Sequence, residues 1–158
     1  MREQLPILAP AERESGSEKE TAAMGAELAQ LLLPLAGRSP VVLLYGDLGA
    51  GKTVFARGFA RGLGIDEPIP SPTFPIVQSY VGDCTFHHLD LYRLGGEEDV
   101  LAFGADEYLN EPGAIALVEW PQRLGTLTDG MQVVKVELAA PDRDRRIVRF
   151  TSEDGRRQ

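Results

Sequence analysis

The residues with the clearest chemical use form a glycine-rich segment that matches the pattern Gly-x-x-x-x-Gly-Lys-Thr. In order, they are Gly46, Asp47, Leu48, Gly49, Ala50, Gly51, Lys52 and Thr53. Glycines let main-chain N–H groups surround an anion without interference from Cβ atoms. The lysine ammonium can reach the β- and γ-phosphates of a nucleotide, and the threonine hydroxyl can bind Mg²⁺. The segment therefore predicts a site for nucleotide phosphates and Mg²⁺.

The elements on either side of this segment support that interpretation over an ordinary glycine turn. Residues 41–45 are a continuous apolar run, which predicts a buried strand. Apolar residues then recur at helical spacing from Val54 to Leu63. A helix that begins near Lys52 offers unpaired N–H groups and the positive end of its dipole to a bound anion.

Two carboxylates, Asp90 and Glu119, stand at the ends of apolar stretches. The carboxyl ends of strands in open α/β sheets face the ligand crevice, so both acids are expected near the phosphate loop. There they could hold Mg²⁺, directly or through water, or orient an attacking water. The alternative is that each caps a turn. The residues alone do not divide the roles of metal ligand, water ligand and base between them.

His87 and His88 are adjacent, and neighbouring residues of a strand face opposite sides. We therefore expect no shared metal, with one histidine in the core and the other at the surface. The single cysteine, Cys84, cannot form an internal disulfide, which fits a reducing cytoplasm.

The remaining pattern predicts an α/β fold with a mixed sheet: parallel strands at its centre, antiparallel hairpins beside them and helices flanking it. A first helix begins after Ser17 with a capping box to Glu20. The other expected elements are strands 76–81 and 85–89 as a hairpin, a helix over 97–108 broken near Gly104, a central strand 114–118, and a closing hairpin of 131–138 and 146–150.

A length of 158 residues fits one domain, expected over residues 17–152. Residues 1–16 are read as an uncleaved tail that is partly disordered or forms a short edge strand, and residues 153–158 as a C-terminal tail. No apolar run approaches the ~20 residues of a membrane helix. The net charge of −8 argues against independent binding of nucleic acid. If the protein acts on a nucleic acid, we expect it to do so through a protein partner.

Four segments in this order resemble the family of small bacterial ATPases TsaE, also called YjeE, over about residues 17–150. The segments are 44–53 (LYGDLGAGKT), 71–74 (SPTF), 88–94 (HLDLYRL) and 118–121 (VEWP). The resemblance implies a P-loop NTPase fold and slow, Mg²⁺-dependent ATP hydrolysis. It also implies partnership with TsaB and TsaD, which transfer threonylcarbamoyl to adenosine 37 of tRNAs that read codons beginning with A. In that family the ATPase supports the cycle and does not perform the transfer, so tRNA is met indirectly.

The resemblance also implies roles for individual residues. Lys52 would hold phosphate, Thr53 and Glu119 would bind Mg²⁺, and Asp90 would be the Walker-B-like acid beside the metal. The remaining implied contacts are Thr73 as a γ-phosphate sensor, Trp120 beside the nucleotide or the partner, and Glu18 to Thr21 with the Asp142-Arg143 turn near the base. Phe74-Pro75 departs from the tyrosine-threonine usual after Ser-Pro-Thr, and proline removes a backbone donor there.

Two other classes of function compete with a switch ATPase. Short P-loop proteins are often nucleotide kinases, which usually carry several arginines in a lid. Between the loop and Glu119 the chain has only Arg57, Arg61 and Arg93, and the first two lie on the predicted P-loop helix. A module that binds ATP without hydrolysing it would need no water-positioning acid, and the pair of Asp90 and Glu119 argues mildly against it.

Overall fold

A seven-stranded mixed sheet with helices on both faces forms the centre of the molecule in a computed structural model, which describes residues 10–69 and 76–154. The strands are β1 (Ala11–Ser15), β2 (Val41–Tyr45), β3 (Val77–Val81), β4 (Thr85–Asp90), β5 (Ala114–Glu119), β6 (Gln132–Ala139) and β7 (Arg146–Asp154). The helices are α1 (Glu18–Leu32), α2 (Lys52–Gly62), α3 (Glu97–Phe103) and α4 (Ala105–Leu109), with 3-10 turns at Leu33–Arg38 and Pro121–Leu124.

The strand order is β1-β7-β6-β2-β5-β4-β3. The four inner strands β6, β2, β5 and β4 run parallel, and the hairpins β6–β7 and β3–β4 are antiparallel. The predicted parallel pairing of β2 with β5 and both predicted hairpins are confirmed. β2 and residues 114–118 of β5 are apolar because helices cover both faces of the sheet at its centre.

The first and last strands of the described residues, β1 and β7, lie together at one edge of the sheet. β1 pairs antiparallel with β7, which extends to Asp154, two residues past the expected domain end at residue 152. A salt bridge of 3.0 Å between Arg149 and Glu12 joins the two strands. Within the segment 1–16, residues 11–15 therefore form an edge strand. The apolar residues 5–8 lie outside the described residues.

Helices α1 and α2 cover one face of the sheet and pack against each other through glycines. A Cβ at Gly25 would lie 2.3 Å from the carbonyl oxygen of Phe55, and one at Gly58 would lie 1.9 Å from that of Ala22. Only glycine permits such an approach of two helix backbones. On α2, Phe55 and Phe59 then reach Phe150 and Phe86 in the core.

The start of α1 follows the predicted capping pattern with one change. Ser17 Oγ accepts the N–H of Glu20 at 3.1 Å, as in a capping box. The Glu20 carboxylate, however, accepts the N–H of Gly16 at 2.7 Å rather than that of Ser17. The helix is therefore fixed at its first turn. The predicted break near Gly104 is also confirmed, because this residue has a φ of 89° and separates α3 from α4.

The expectation that one of the two histidines is at the surface is wrong. His87 and His88 are each 3% exposed. Their strand, β4, lies between β3 and β5 and is covered on both faces. Side chains on either face of this strand are therefore buried. His87 contacts Ser79 and Glu111 on the α4 side, whereas His88 contacts Glu119 on the α2 side.

None of the helices within residues 10–69 and 76–154 combines the length and apolarity needed to span a bilayer.

Candidate nucleotide and magnesium site

The loop between β2 and α2 has the backbone shape of an anion cradle. Gly49 and Gly51 adopt φ angles of 82° and 102°, in the left-handed region that favours glycine. Gly51 is the N-cap of α2, so the first N–H groups of this helix have no partner within the helix. These donors and the positive end of the helix dipole favour a bound phosphate.

A cleft of about 700 Å³ opens above this loop, within the usual range for small-molecule sites. The predicted site residues that line it are Leu48, Gly49, Gly51, Lys52, Thr53, Asp90, Glu119, Glu18, Trp120 and Arg143. Gly46, Asp47 and Ala50 belong to the same loop but are not part of the lining. Thr73, and with it the Ser-Pro-Thr-Phe segment and Pro75, lies outside the described residues.

The ammonium group of Lys52 is directed against an aromatic ring. Its Nζ lies 4.5 Å from the centroid of the Trp120 ring, and the side chain is largely buried. The Tyr92 ring also packs on Trp120, with 4.9 Å between the two ring centroids. A cation over an aromatic face is stabilised by about 0.5–2 kcal/mol, less than a charged hydrogen bond can offer. A phosphate group could therefore draw the ammonium away from the ring.

Asp90 and Glu119 are direct neighbours in the register of β4 and β5, at the carboxyl ends of both strands. Asp90 Oδ1 accepts the N–H of Tyr92 at 3.0 Å, and Glu119 Oε2 lies 2.7 Å from Nε2 of His88. Each carboxylate is thus held by one oxygen, and both side chains line the cleft. The sequence-based expectation that the two acids lie close to the phosphate loop describes their positions correctly.

Burial raises the pKa of the Asp90 carboxyl, and the neighbouring charge of Glu119 adds to this, while the Tyr92 N–H, His88 and the Lys52 ammonium act in the opposite direction. Two adjacent carboxylates oppose each other's ionisation, and a cation between them removes that cost. A divalent cation bound beside Asp90 would lower this raised pKa, because it stabilises the charged carboxylate.

The oxygen donors at this point fit Mg²⁺. Thr53, Asp90 and Glu119 all line the same cleft beside the phosphate cradle. Within residues 10–69 and 76–154, no group of three His, Cys, Asp or Glu side chains could hold a metal ion by itself. Mg²⁺ is usually bound by one or two carboxylates together with substrate phosphates and water, rather than by an all-protein cage. The donor set therefore suits Mg²⁺ that arrives with a nucleotide.

The start of α1 and the β6–β7 turn also line the cleft. Gly16, Ser17, Glu18 and Thr21 line one wall, and Arg143, Asp144 and Arg146 line the other. The turn is fixed by Asp142, whose carboxylate accepts the Nε–H of Arg145 at 2.8 Å. This contact with Arg145 lowers the pKa of Asp142. Both regions that the family resemblance connects with the nucleotide base are thus present at the cleft.

Sequence reasoning missed three residues of this site. Arg146 donates from its guanidinium to the carbonyl oxygen of Gly49 at 3.3 Å and to that of Arg145 at 2.9 Å, so it joins the hairpin to the phosphate loop. Tyr92 packs on Trp120, and His88 contacts Glu119. Strand alternation could have revealed His88, because it places His88 on the same face as Asp90.

The fold and the cleft together define a protein of the P-loop NTPase fold class, with the phosphate loop at the carboxyl edge of the parallel strands at the centre of a mixed sheet. The family model described as "Threonylcarbamoyl adenosine biosynthesis protein TsaE" matches residues 15–148, and the chain belongs to this family.

Individual relatives agree with this assignment. The tRNA threonylcarbamoyladenosine biosynthesis protein TsaE of Treponema pallidum is 41% identical over 112 residues, which cover 71% of this chain and 79% of that protein. The Bacillus subtilis protein of the same name is 46% identical over 94 residues, 59% of this chain and 58% of the relative. The crystal structure of YdiB from Bacillus subtilis superposes with a TM-score of 0.70 at 30% identity and covers 92% of this chain and 86% of YdiB.

Proposed function

We propose that this chain is an Mg²⁺-dependent ATPase of low intrinsic turnover. Its role is to support formation of threonylcarbamoyladenosine at position 37 of tRNAs that read codons beginning with A. It acts with TsaB and TsaD and does not itself transfer the threonylcarbamoyl group. The observation that carries the proposal is the convergence of Lys52, Thr53, Asp90 and Glu119 at one cleft in a chain of the TsaE family.

The phosphate end of the cleft supports nucleotide binding. The first N–H groups of α2 would hold the β- and γ-phosphate oxygens, and Lys52 would leave the Trp120 ring to pair with them. The Trp120 ring would then be free to pack on the nucleotide or on a partner. The adenine base would lie between the Glu18 to Thr21 turn and the hairpin turn that carries Arg143.

The two acids support hydrolysis as well as binding. Thr53 and Glu119 would hold Mg²⁺, and Asp90 would hold a water ligand of the metal or orient the attacking water. Mg²⁺, when bound, neutralises charge on the β- and γ-phosphate oxygens. A partly buried carboxyl with a raised pKa suits Asp90 for contact with a water that must lose a proton. Thr73 would sense the γ-phosphate and pass its presence to the partner proteins.

The charge of the chain supports an indirect route to tRNA. With 24 acidic and 16 basic residues, the surface opposes the phosphate backbone of a nucleic acid. Contact through TsaB and TsaD avoids this repulsion, and ATP hydrolysis would then act on the assembly rather than on the tRNA.

The test is ATP hydrolysis by the purified full chain with Mg²⁺, alone and with TsaB, TsaD and tRNA. We expect slow basal turnover that rises with the partners, and formation of the modified nucleoside only over repeated cycles when this chain is present. ATP binding without turnover in either condition would instead identify a non-hydrolysing interaction module. Phosphoryl transfer to any nucleoside monophosphate in a substrate panel would identify a kinase.

A further inference from the structure

His88 and Glu119 form a buried pair that connects the core of the sheet to the cleft. Nε2 of His88 lies 2.7 Å from Oε2 of Glu119, and the two side chains are 2% and 5% exposed. Among the described residues, only this oxygen of the carboxylate is engaged by a hydrogen bond from a side chain. Glu119 also lines the cleft.

The imidazole ring of His88 is itself fixed by packing. It stacks on Phe86, two residues earlier on β4, with ring centroids 6.1 Å apart and planes inclined by 11°. Phe86 packs in turn on Phe59 of α2, at 5.5 Å between ring centroids. Because Phe86 and Phe59 are fully buried, the position of Nε2 is set by the core and not by solvent.

The hydrogen-bond pattern defines which nitrogen donates. Nδ1 of His88 is buried and has no partner among the described residues. A proton on Nδ1 would leave a buried donor unpaired, whereas a carboxylate can only accept. A proton on Nε2 satisfies both conditions, so His88 donates to Glu119. Such a donor fixes a carboxylate in one orientation, as the partners of metal ligands commonly do.

We propose that His88 is a positioning residue that holds the Glu119 carboxylate in the orientation required to bind Mg²⁺ in the nucleotide complex. This inference rests on the proposed function. His88 touches neither nucleotide nor metal. Its loss should therefore affect the affinity for Mg²⁺ far more than the affinity for the nucleotide itself.

The decisive comparison uses two amide variants of the full chain, His88→Gln and His88→Asn. The longer Gln side chain places an N–H donor near the position of Nε2, whereas Asn is too short to reach Glu119. Removal of such a supporting hydrogen bond typically lowers metal affinity about 10–100-fold. We expect that loss for His88→Asn when Mg²⁺ is titrated into the ATP complex, with a clearly smaller loss for His88→Gln. ATP affinity measured in EDTA should change by less than about threefold in both variants. His88 does not contact the nucleotide, so its replacement removes no direct binding interaction.

His87 offers the matched control, because it is equally buried on the same strand but contacts Ser79 and Glu111 instead. His87→Asn should leave Mg²⁺ affinity unchanged. Equal Mg²⁺ affinity in wild type and His88→Asn would overturn the inference, as would equal losses of ATP affinity with and without Mg²⁺. If the wild type shows no effect of Mg²⁺ on nucleotide binding, the proposed function itself fails, and the two failures are thereby distinguished.

A measurement on the wild type keeps the inference testable should the variants not fold. The chain has two histidines, so ¹⁵N NMR of the imidazole nitrogens gives a simple spectrum that His87→Asn assigns. We expect a proton on Nε2 of His88, and a change in its Nε2 signal when Mg²⁺ is added to the ATP complex. An Nε2 signal that does not respond to Mg²⁺ would contradict a positioning role.

Discussion

The replacement Gly58→Ala should destabilise the protein, because it inserts a methyl group between the backbones of α1 and α2. The new Cβ would lie 1.9 Å from the carbonyl oxygen of Ala22, whereas ordinary van der Waals contact begins at 3.4 Å. The helices must therefore separate locally by the difference, about 1.5 Å. Neither backbone can rotate out of the way as a side chain could. Overpacking typically costs about 1–3 kcal/mol, and an obstacle of backbone atoms places this case at the upper end.

Part of that cost is offset, because alanine is a better helix former than glycine by about 1 kcal/mol. We expect a net loss of about 2 kcal/mol in the free energy of unfolding. For a chain of this size, this corresponds to a fall in Tm of about 4–8 °C. ATP binding should weaken as well, because Ala22 directly follows Thr21, which lines the cleft.

Thermal and urea unfolding of the purified protein measure the stability change, and calorimetry measures ATP binding. The matched control is Gly37→Ala, because a Cβ at Gly37 meets no atom within 4 Å and the residue has no positive φ. We expect this control within about 0.5 kcal/mol of wild type. If Gly58→Ala unfolds at the same temperature and urea concentration as Gly37→Ala, the close contact of the two helices does not exist as described.

Three further predictions concern the cleft. Lys52→Ala should raise the Kd for ATP about 10–100-fold, since a charged hydrogen bond contributes about 1.5–3 kcal/mol; calorimetry giving a Kd within threefold of wild type would contradict the assignment. Asp90→Asn should impair ATP turnover yet raise Tm at pH 7, because the pKa of Asp90 is raised above its ordinary 3.8 and its ionisation therefore opposes folding. The gap in Tm should close as the pH falls from the raised pKa towards 3.8, and a gap that widens in acid would refute the sign. Arg146→Gln should weaken ATP binding about fivefold, the effect of one hydrogen bond of ~1 kcal/mol, because its contact with Gly49 is lost. Arg149→Gln, on the same strand but paired with Glu12, should bind ATP as wild type does in the same titration.

Local patterns in the sequence were sufficient to predict the central elements of the fold. The apolar run of β2, the glycines of the loop and the helical spacing of α2 are consecutive, so each restricts the next through short-range sterics and hydrogen bonds. Asp90 and Glu119 could also be placed, because parallel strands bring their carboxyl ends to the same edge of a sheet. The bounds of β2 matched the prediction, while β7 runs longer than expected.

The environment of the two histidines could not be obtained in this way. Alternation along β4 correctly predicted that His87 and His88 face opposite sides. It could not show that both sides are covered, because that depends on α2 and α4 packing on opposite faces of the sheet. The error was to treat the second face as solvent.

The sequence by itself determined the chemistry of the phosphate end: a strand, a glycine loop, a lysine and threonine at a helix start, and two acids at strand ends. Tertiary structure alone decided what surrounds that chemistry. Arg146 reaches Gly49 across 97 positions of the chain, and His88 reaches Glu119 across 31. Such contacts follow from the order of strands in the sheet. Neither leaves a periodic signal, since both result from packing between segments that are distant in sequence.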